Sequence, residues 1–274
     1  MKTVRLHSKG PEVTTLCEIL ARMGYLVMVS DVFTTAVDEA VKSFQSDYNL
    51  VVDGIVGIKT WSRLFEKNST LTQYNDKLLS EQDLIDFANH YQVELACIKA
   101  VNEIESSGKG FLIDGRPKIL FEGHIFWQEL ERRNIDPQAY VRPENQDVLY
   151  KKWTQKYYQG GSREYERLAR ASALIPGLNL TDAAHASASW GVFQIMGFNA
   201  IPIGYDSMDS FVGKMYLNER EHLTAFGCFL KTNNLIGALQ NKDWATFAYR
   251  YNGEGYKVNQ YDVKLARAYQ KYTT

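Results

Sequence analysis

Apolar residues in this chain recur three and four positions apart almost from one end to the other, a spacing that commits it to helices. Near the start, Val13, Leu16, Cys17 and Leu20 form one such stripe, ended by Gly24. Val37, Ala40, Val41 and Phe44 form a second, and Trp61, Leu64 and Phe65 a third. Beyond residue 80 the same period runs through "ENQDVLYKKWTQKYY", "SREYERLARASAL", "DSFVGKMYLNEREHLTAFGCFLKTN" and "YDVKLARAYQKY". Ser80 followed by Asp83 predicts a capped helix start ahead of Leu84, Phe87, Ala88 and Tyr91. Strand-like alternation is scarce, with "RPKILFE" (116–122) the main candidate. The expected fold class is mainly α.

The first 68 residues carry an internal echo. "SDVFTTAVDEAVKSFQ" (30–45) and "VDGIVGIKTWSRLF" (52–65) each open on an Asp-bearing loop and run into an amphipathic helix. With the stripe ahead of them they make a compact three-helix module over 1–68. The polar stretch "EKNSTLTQYNDK" reads as a linker, placed at 69–77, and a larger α-rich domain is expected over 78–274. At 45% hydrophobic, 274 residues suffice for a small domain and a larger one.

Several function classes drop out on composition. A net charge of −1 leaves no electrostatic footprint for nucleic acid or anionic lipid, and no apolar run approaches a membrane span. The three cysteines, Cys17, Cys97 and Cys228, are scattered among apolar neighbours and read as buried hydrophobes of a protein made in a reducing compartment. "MKTVRLHSKGPEV" has no apolar signal-peptide core, so the chain is expected in the cytosol until something else releases it. The five histidines (His7, His90, His124, His185, His222) show no i,i+4 pair and no HExxH, so neither metal nor cofactor is expected.

The stretch that carries chemistry is "IKAVNEIESSGKGF" (98–111), the end of a helix starting near Val93. Its two glutamates cannot face the same way, because each helical residue turns about 100°. Glu105 lies one turn past Val101 and two past Ile98, on the margin of the apolar stripe. Glu103 lies one turn past Lys99, where an ion pair gives it a surface role. Burial raises the pKa of a carboxylic acid, and an acid still protonated near neutral pH can protonate a departing glycosidic oxygen. Gly108 and Gly110 end the helix and leave Glu105 at a cleft edge. By itself this is a weak signal, since most glutamates at helix ends are simply solvated.

Two further fragments add to it. "EIESSGKGF" resembles the E-S-x-x-G signature of the lysozyme-like superfamily, whose Glu before Ser is the acid. "SWGVFQIMGFN" (189–199) resembles its S-x-G-L-M-Q-I segment, and "YRYNGEGY" (249–256) its Y-N-x-G segment. The N-terminal module resembles the peptidoglycan-binding domain of cell-wall hydrolases: Ala40-Val41 and Phe44-Gln45 precede Asp53-Gly54, Gly57 and Thr60 in the pattern A-V-x-x-F-Q … D-G-x-x-G-x-x-T. With "GRPKILFEGH" after the acid and a long insertion at about 126–175, the whole chain resembles modular phage endolysins of the N-acetylmuramidase family.

That resemblance implies a peptidoglycan hydrolase that cleaves the β-1,4 bond between N-acetylmuramic acid and N-acetylglucosamine and lyses the bacterial host from within. Glu105 would be the general acid. Gln194, Tyr251 and Asn252, with Ser189, would hold the saccharide. A second catalytic acid is less determined. Glu122, on the apolar "LFEGH", is the candidate, weighed evenly against a structural role, while Asp114 in "IDGRP" reads as a turn residue. The partner implied is bacterial peptidoglycan, and the chain is expected to act as a monomer. The alternative within reach is a lytic transglycosylase, which leaves 1,6-anhydro-muramic acid.

Overall fold

The computed structural model describes residues 2–26, 28–67, 77–105, 110–112 and 114–273. The chain divides into two compact units, residues 1–76 with 113–116, and residues 77–112 with 117–274. Apart from Lys77, the linker expected at 69–77 lies outside the described residues, as do Ser106 and Gly108 of the acid-bearing motif.

The first unit holds α1 (Pro11–Arg22), α2 (Thr35–Asp47) and α3 (Ile58–Lys67). The three predicted stripes meet in one core, with Val13, Leu16, Cys17, Leu20, Val37, Phe44 and Leu64 sealed from solvent. Two isolated antiparallel bridges, Val4 with Val56 and Lys9 with Val32, tie the loops ahead of the helices. The Phe-Gln … Asp-Gly pattern has a physical reading here. Buried Gln45 donates its amide to Asp53 Oδ1 (3.0 Å), the Ile55 carbonyl (3.1 Å) and Thr60 Oγ1 (3.3 Å). Its carbonyl accepts from the Asp53 and Gly54 N–H groups at 3.1 and 2.9 Å. One side chain thus satisfies a whole loop, and Gly54, at φ +73°, allows the turn without striking Asp38.

The second unit begins with α4 (Glu81–Tyr91), started by the expected reciprocal cap between Ser80 and Asp83. Next come α5 (Leu95–Glu105), β1 (Ile119–Phe121) and α6 (Gly123–Arg132). After a long irregular stretch follow α7 (Arg163–Ser172), α8 (Thr181–Ala186), β2 (Ala188–Trp190) and β3 (Ile195–Met196). The chain closes with α9 (Met208–Leu217), α10 (Glu219–Thr232), α11 (Ile236–Gln240), α12 (Trp244–Asn252) and α13 (Tyr261–Thr273). The antiparallel sheet runs β1-β2-β3, with Ile119 opposite Trp190 and Ser189 opposite Met196. Helix α13 packs along α5, so the last helix in chain order flanks the glutamate-bearing one. Among the described residues no helix is long and apolar enough to cross a membrane.

The larger unit departs from the periodicity in two places. "ENQDVLYKKWTQKYY" is not an α-helix: a short 3-10 turn at Pro143–Asn145 gives way to loop. Its buried residues, Val148 and Leu149, are adjacent rather than a turn apart, and the Asp147 carbonyl accepts from Arg167 Nη2 at 2.6 Å instead of closing a helix. "DSFVGKMYLNEREHLTAFGCFLKTN" is two helices, because Asn218 is fully extended and its side chain accepts the Glu221 N–H at 3.1 Å, capping a new start. "SWGVFQI" forms a hairpin, β2 to β3.

Candidate active site

Glu105 is the last residue of α5, half-buried beyond sealed Ile98 and Val101. The hydroxyl of Tyr261, the first residue of α13, donates to Glu105 Oε1. Asn252, ending α12, reaches the same tyrosine oxygen. Tyr251 lies beside this pair, its ring centroid 6.3 Å from that of Tyr261, and its hydroxyl donates to the Phe193 carbonyl at 2.8 Å. Burial pushes the Glu105 carboxyl up to about 7, and the Tyr261 hydrogen bond pulls the other way. Such an acid carries a proton at neutral pH that it can deliver.

The facing wall is the β2–β3 turn. Gly191 turns at φ +73°, and a side chain there would strike the His222 ring. Buried His222 accepts the Val192 N–H on Nδ1 (3.2 Å) and bonds the Met215 carbonyl through Nε2 (2.7 Å). Burial lowers its pKa to about 4, so it stays neutral as a brace. Gln194 sits at φ +47°, sparsely populated for a residue with a side chain. Its amide donates to the Gly191 carbonyl (2.8 Å) and its oxygen accepts from Ser189 Oγ (2.8 Å). Between this turn and Glu105 opens a cleft of about 310 Å³, walled by Phe193, Phe198 and Phe229 and edged by the amides of Asn199, Asn233 and Asn252. Aromatic walls with amide edges suit a saccharide carrying N-acetyl groups.

Of the residues singled out from sequence, Glu105, Gln194, Tyr251 and Asn252 share this cleft, while Ser189 stands behind Gln194 and fixes it. Glu122 is not among the cleft's lining residues. It stands just before α6, its side chain making no capping bond; Oε1 accepts from Tyr158 (2.5 Å) and Oε2 lies 3.3 Å from His124 Nδ1. Burial raises the Glu122 carboxyl and lowers the His124 imidazole, moving both toward their neutral forms. Asp114 takes the turn role: its Oδ1 accepts the Arg116 N–H at 3.0 Å. Glu103 faces away from the cleft, but its partners are not Lys99. It meets Lys271 (2.7 Å) and Tyr272 (2.5 Å) of α13, and Lys99 pairs with Glu81 instead. Packing of α13 against α5 outbids the local i,i+4 pair.

Sequence reasoning missed Tyr261, Asn199 and Asn233. Tyr261 opens "YDVKLARAYQKY", where only apolar spacing was legible, and nothing in that period says that its hydroxyl meets a carboxylate 156 residues earlier. In sequence Gly110 reads as a helix breaker. It is also a tight packing point, where a side chain would collide with Val192 and His222, and its N–H donates to Glu219 Oε1 at 2.6 Å. Among the described residues no three His, Cys, Asp or Glu side chains are placed to hold a metal ion.

The N-acetylmuramidase family matches residues 94–273, and the peptidoglycan binding domain family matches residues 9–64. The crystal structure of the Burkholderia AP3 phage endolysin is similar over 99% of this chain and 99% of that one, at 39% identity and a TM-score of 0.66. No curated protein sequence matches significantly.

Proposed function

Since the chain belongs to the N-acetylmuramidase family of peptidoglycan hydrolases, we propose that it cuts the β-1,4 bond between N-acetylmuramic acid and N-acetylglucosamine, with Glu105 as the general acid. The observation that carries this reading is the Glu105 carboxyl, raised to about 7 by burial at an aromatic, amide-edged cleft. With Oε1 accepting the Tyr261 hydrogen bond, the proton resides on Oε2. It passes to the leaving oxygen as the glycosidic bond breaks and positive charge develops on the sugar. Glu105, now a carboxylate, takes a proton from the incoming water, and the acid is restored. Gln194, Tyr251 and Asn252 shape the groove. The N-terminal module raises the local concentration of the catalytic unit at the wall. In a phage-infected cell the outcome would be host lysis.

One observation keeps a second reading open. Glu105 is the only carboxylate among the described residues lining the cleft. Glycosidases that use two carboxylates hold them about 5–10 Å apart across the sugar. A single acid that serves both steps also fits a lytic transglycosylase, in which the muramic 6-hydroxyl replaces water as nucleophile. Mass spectrometry of digested sacculi decides: hydrolysis leaves muramic reducing ends that borohydride reduces, and transglycosylation leaves anhydro ends one water lighter. Glu105→Gln should lower turnover by at least ~10²-fold. A Glu105→Gln enzyme that still clears sacculi at the original rate removes the proposal. Glu122→Gln tests the other acid. A lowered melting temperature with turnover retained is expected, and a loss as deep as that of Glu105→Gln with the fold intact would make Glu122 catalytic.

A further inference from the structure

The long insertion carries a feature that the cleft around Glu105 does not use. Trp153 is 60% exposed, whereas Trp61, Trp127 and Trp190 are buried. Its loop is nonetheless fixed from beneath. The Lys156 N–H donates to Thr154 Oγ1 (3.2 Å) and the Tyr158 N–H to the Gln155 carbonyl (3.1 Å). The Gln159 and Gly160 N–H groups donate to Glu164 Oε1 at 2.7 and 2.9 Å. Glu164 is itself sealed against Arg167, at 2.7 Å. The Trp153 side chain neighbours the Tyr158 hydroxyl, which donates to Glu122. A tyrosine and a buried carboxyl thus back an indole whose face stays in solvent.

Burial gives no reason for this arrangement, since the ring removes little apolar surface from water. A ring already ordered before binding loses little entropy when something stacks on it. The surroundings say what stacks. Lys151, Lys152 and Lys156 fall within six residues of a chain whose net charge is −1. Beside them Trp127, Tyr150 and Tyr157 line a cleft of about 300 Å³ with the amides of Gln138 and Gln146. Lys151 lies 5.9 Å from the Trp127 ring and Lys156 5.2 Å from that of Tyr157.

We propose that Trp153 and its lysines form a second saccharide platform, which stacks on a pyranose of the glycan strand and pairs Lys151 and Lys156 with the free carboxylate of a muramic acid residue that has lost its stem peptide. This rests on the reading of the chain as a peptidoglycan hydrolase, and it assigns Glu122 and Tyr158 as residues that position the platform. Soluble glycan strands stripped of peptide, mixed with full-length Glu105→Gln protein, provide the test. Limiting N-bromosuccinimide oxidises accessible indoles, and peptide mass spectrometry locates the oxidised residue. Strands should protect Trp153, and chitin oligomers, which lack the carboxylate, should require about tenfold more for the same protection. Lys151→Gln/Lys156→Gln should erase that difference, and Tyr158→Phe should weaken protection by both sugars. No protection by strands, or equal protection by strands and chitin oligomers, overturns the platform. The muramidase reading fails separately, through the digest products: uncut sacculi with protected Trp153 would sink that reading and leave this one standing.

Discussion

The proposed acid at the end of α5 sits in a balance that single substitutions can shift. Burial raises the Glu105 carboxyl from 4.5 to about 7, while the Tyr261 hydroxyl opposes the rise. Turnover should therefore be high below pH 7 and fall above it as the proton is lost. Tyr261→Phe removes the opposing hydrogen bond, so the carboxyl should rise further and the basic limb of the pH–rate profile should move to higher pH. A tyrosine that served only packing would lower the rate at every pH and leave the limb in place. Stability follows the same linkage. The raised acid contributes fully below about pH 4.5, and its contribution is lost as pH rises through about 7, at most about 3 kcal/mol. Glu105→Gln, which cannot ionise, should melt above the parent by more at pH 8 than at pH 5, and equal differences at the two pH values would contradict the buried acid. Glu103→Gln removes only exposed contacts with Lys271 and Tyr272 and should keep near-normal turnover.

At the scale of the element, the irregular 144–158 segment is tied down by a buried pair on α7. Arg167, 1% exposed, donates to Glu164, to the Phe121 carbonyl of β1 at 2.9 Å and to the Asp147 carbonyl. Arg167→Met leaves Glu164 buried without a counter-charge, and about 3–5 kcal/mol should be lost. In a unit of this size that lowers the melting temperature by roughly 10 °C. A change of only a degree or two in calorimetry would show that the pair is dispensable. This staple also explains where sequence reading stopped. Helices α1 to α5 were legible because their buried residues repeat at 3.6, and the Ser80–Asp83 cap because it is local. The 144–158 segment failed because its order comes from Glu164 and Arg167, side chains well downstream. Glu105, Gln194, Tyr251 and Asn252 were legible as motif residues. Tyr261 was not, because a hydroxyl on a periodic helix looks like any other polar position. The site of Glu122, likewise, depends on Tyr158 and could not be read from "LFEGH".

At the scale of the whole molecule, two cores with no residue in common underlie two separable tasks. Residues 1–68 expressed alone should fold and sediment with purified sacculi, and a folded fragment that stays in the supernatant would refute the wall-binding assignment. A chain without them should still cut soluble glycan fragments yet clear intact sacculi slowly. The acid on α5 emerges from the ribosome long before the helix that completes its surroundings. Until residue 261 is out, Glu105 has neither the cover that keeps it protonated nor the hydroxyl that steers it. A chain that stops before residue 261 should therefore be inactive, which turbidity assays on sacculi with a truncated protein would check.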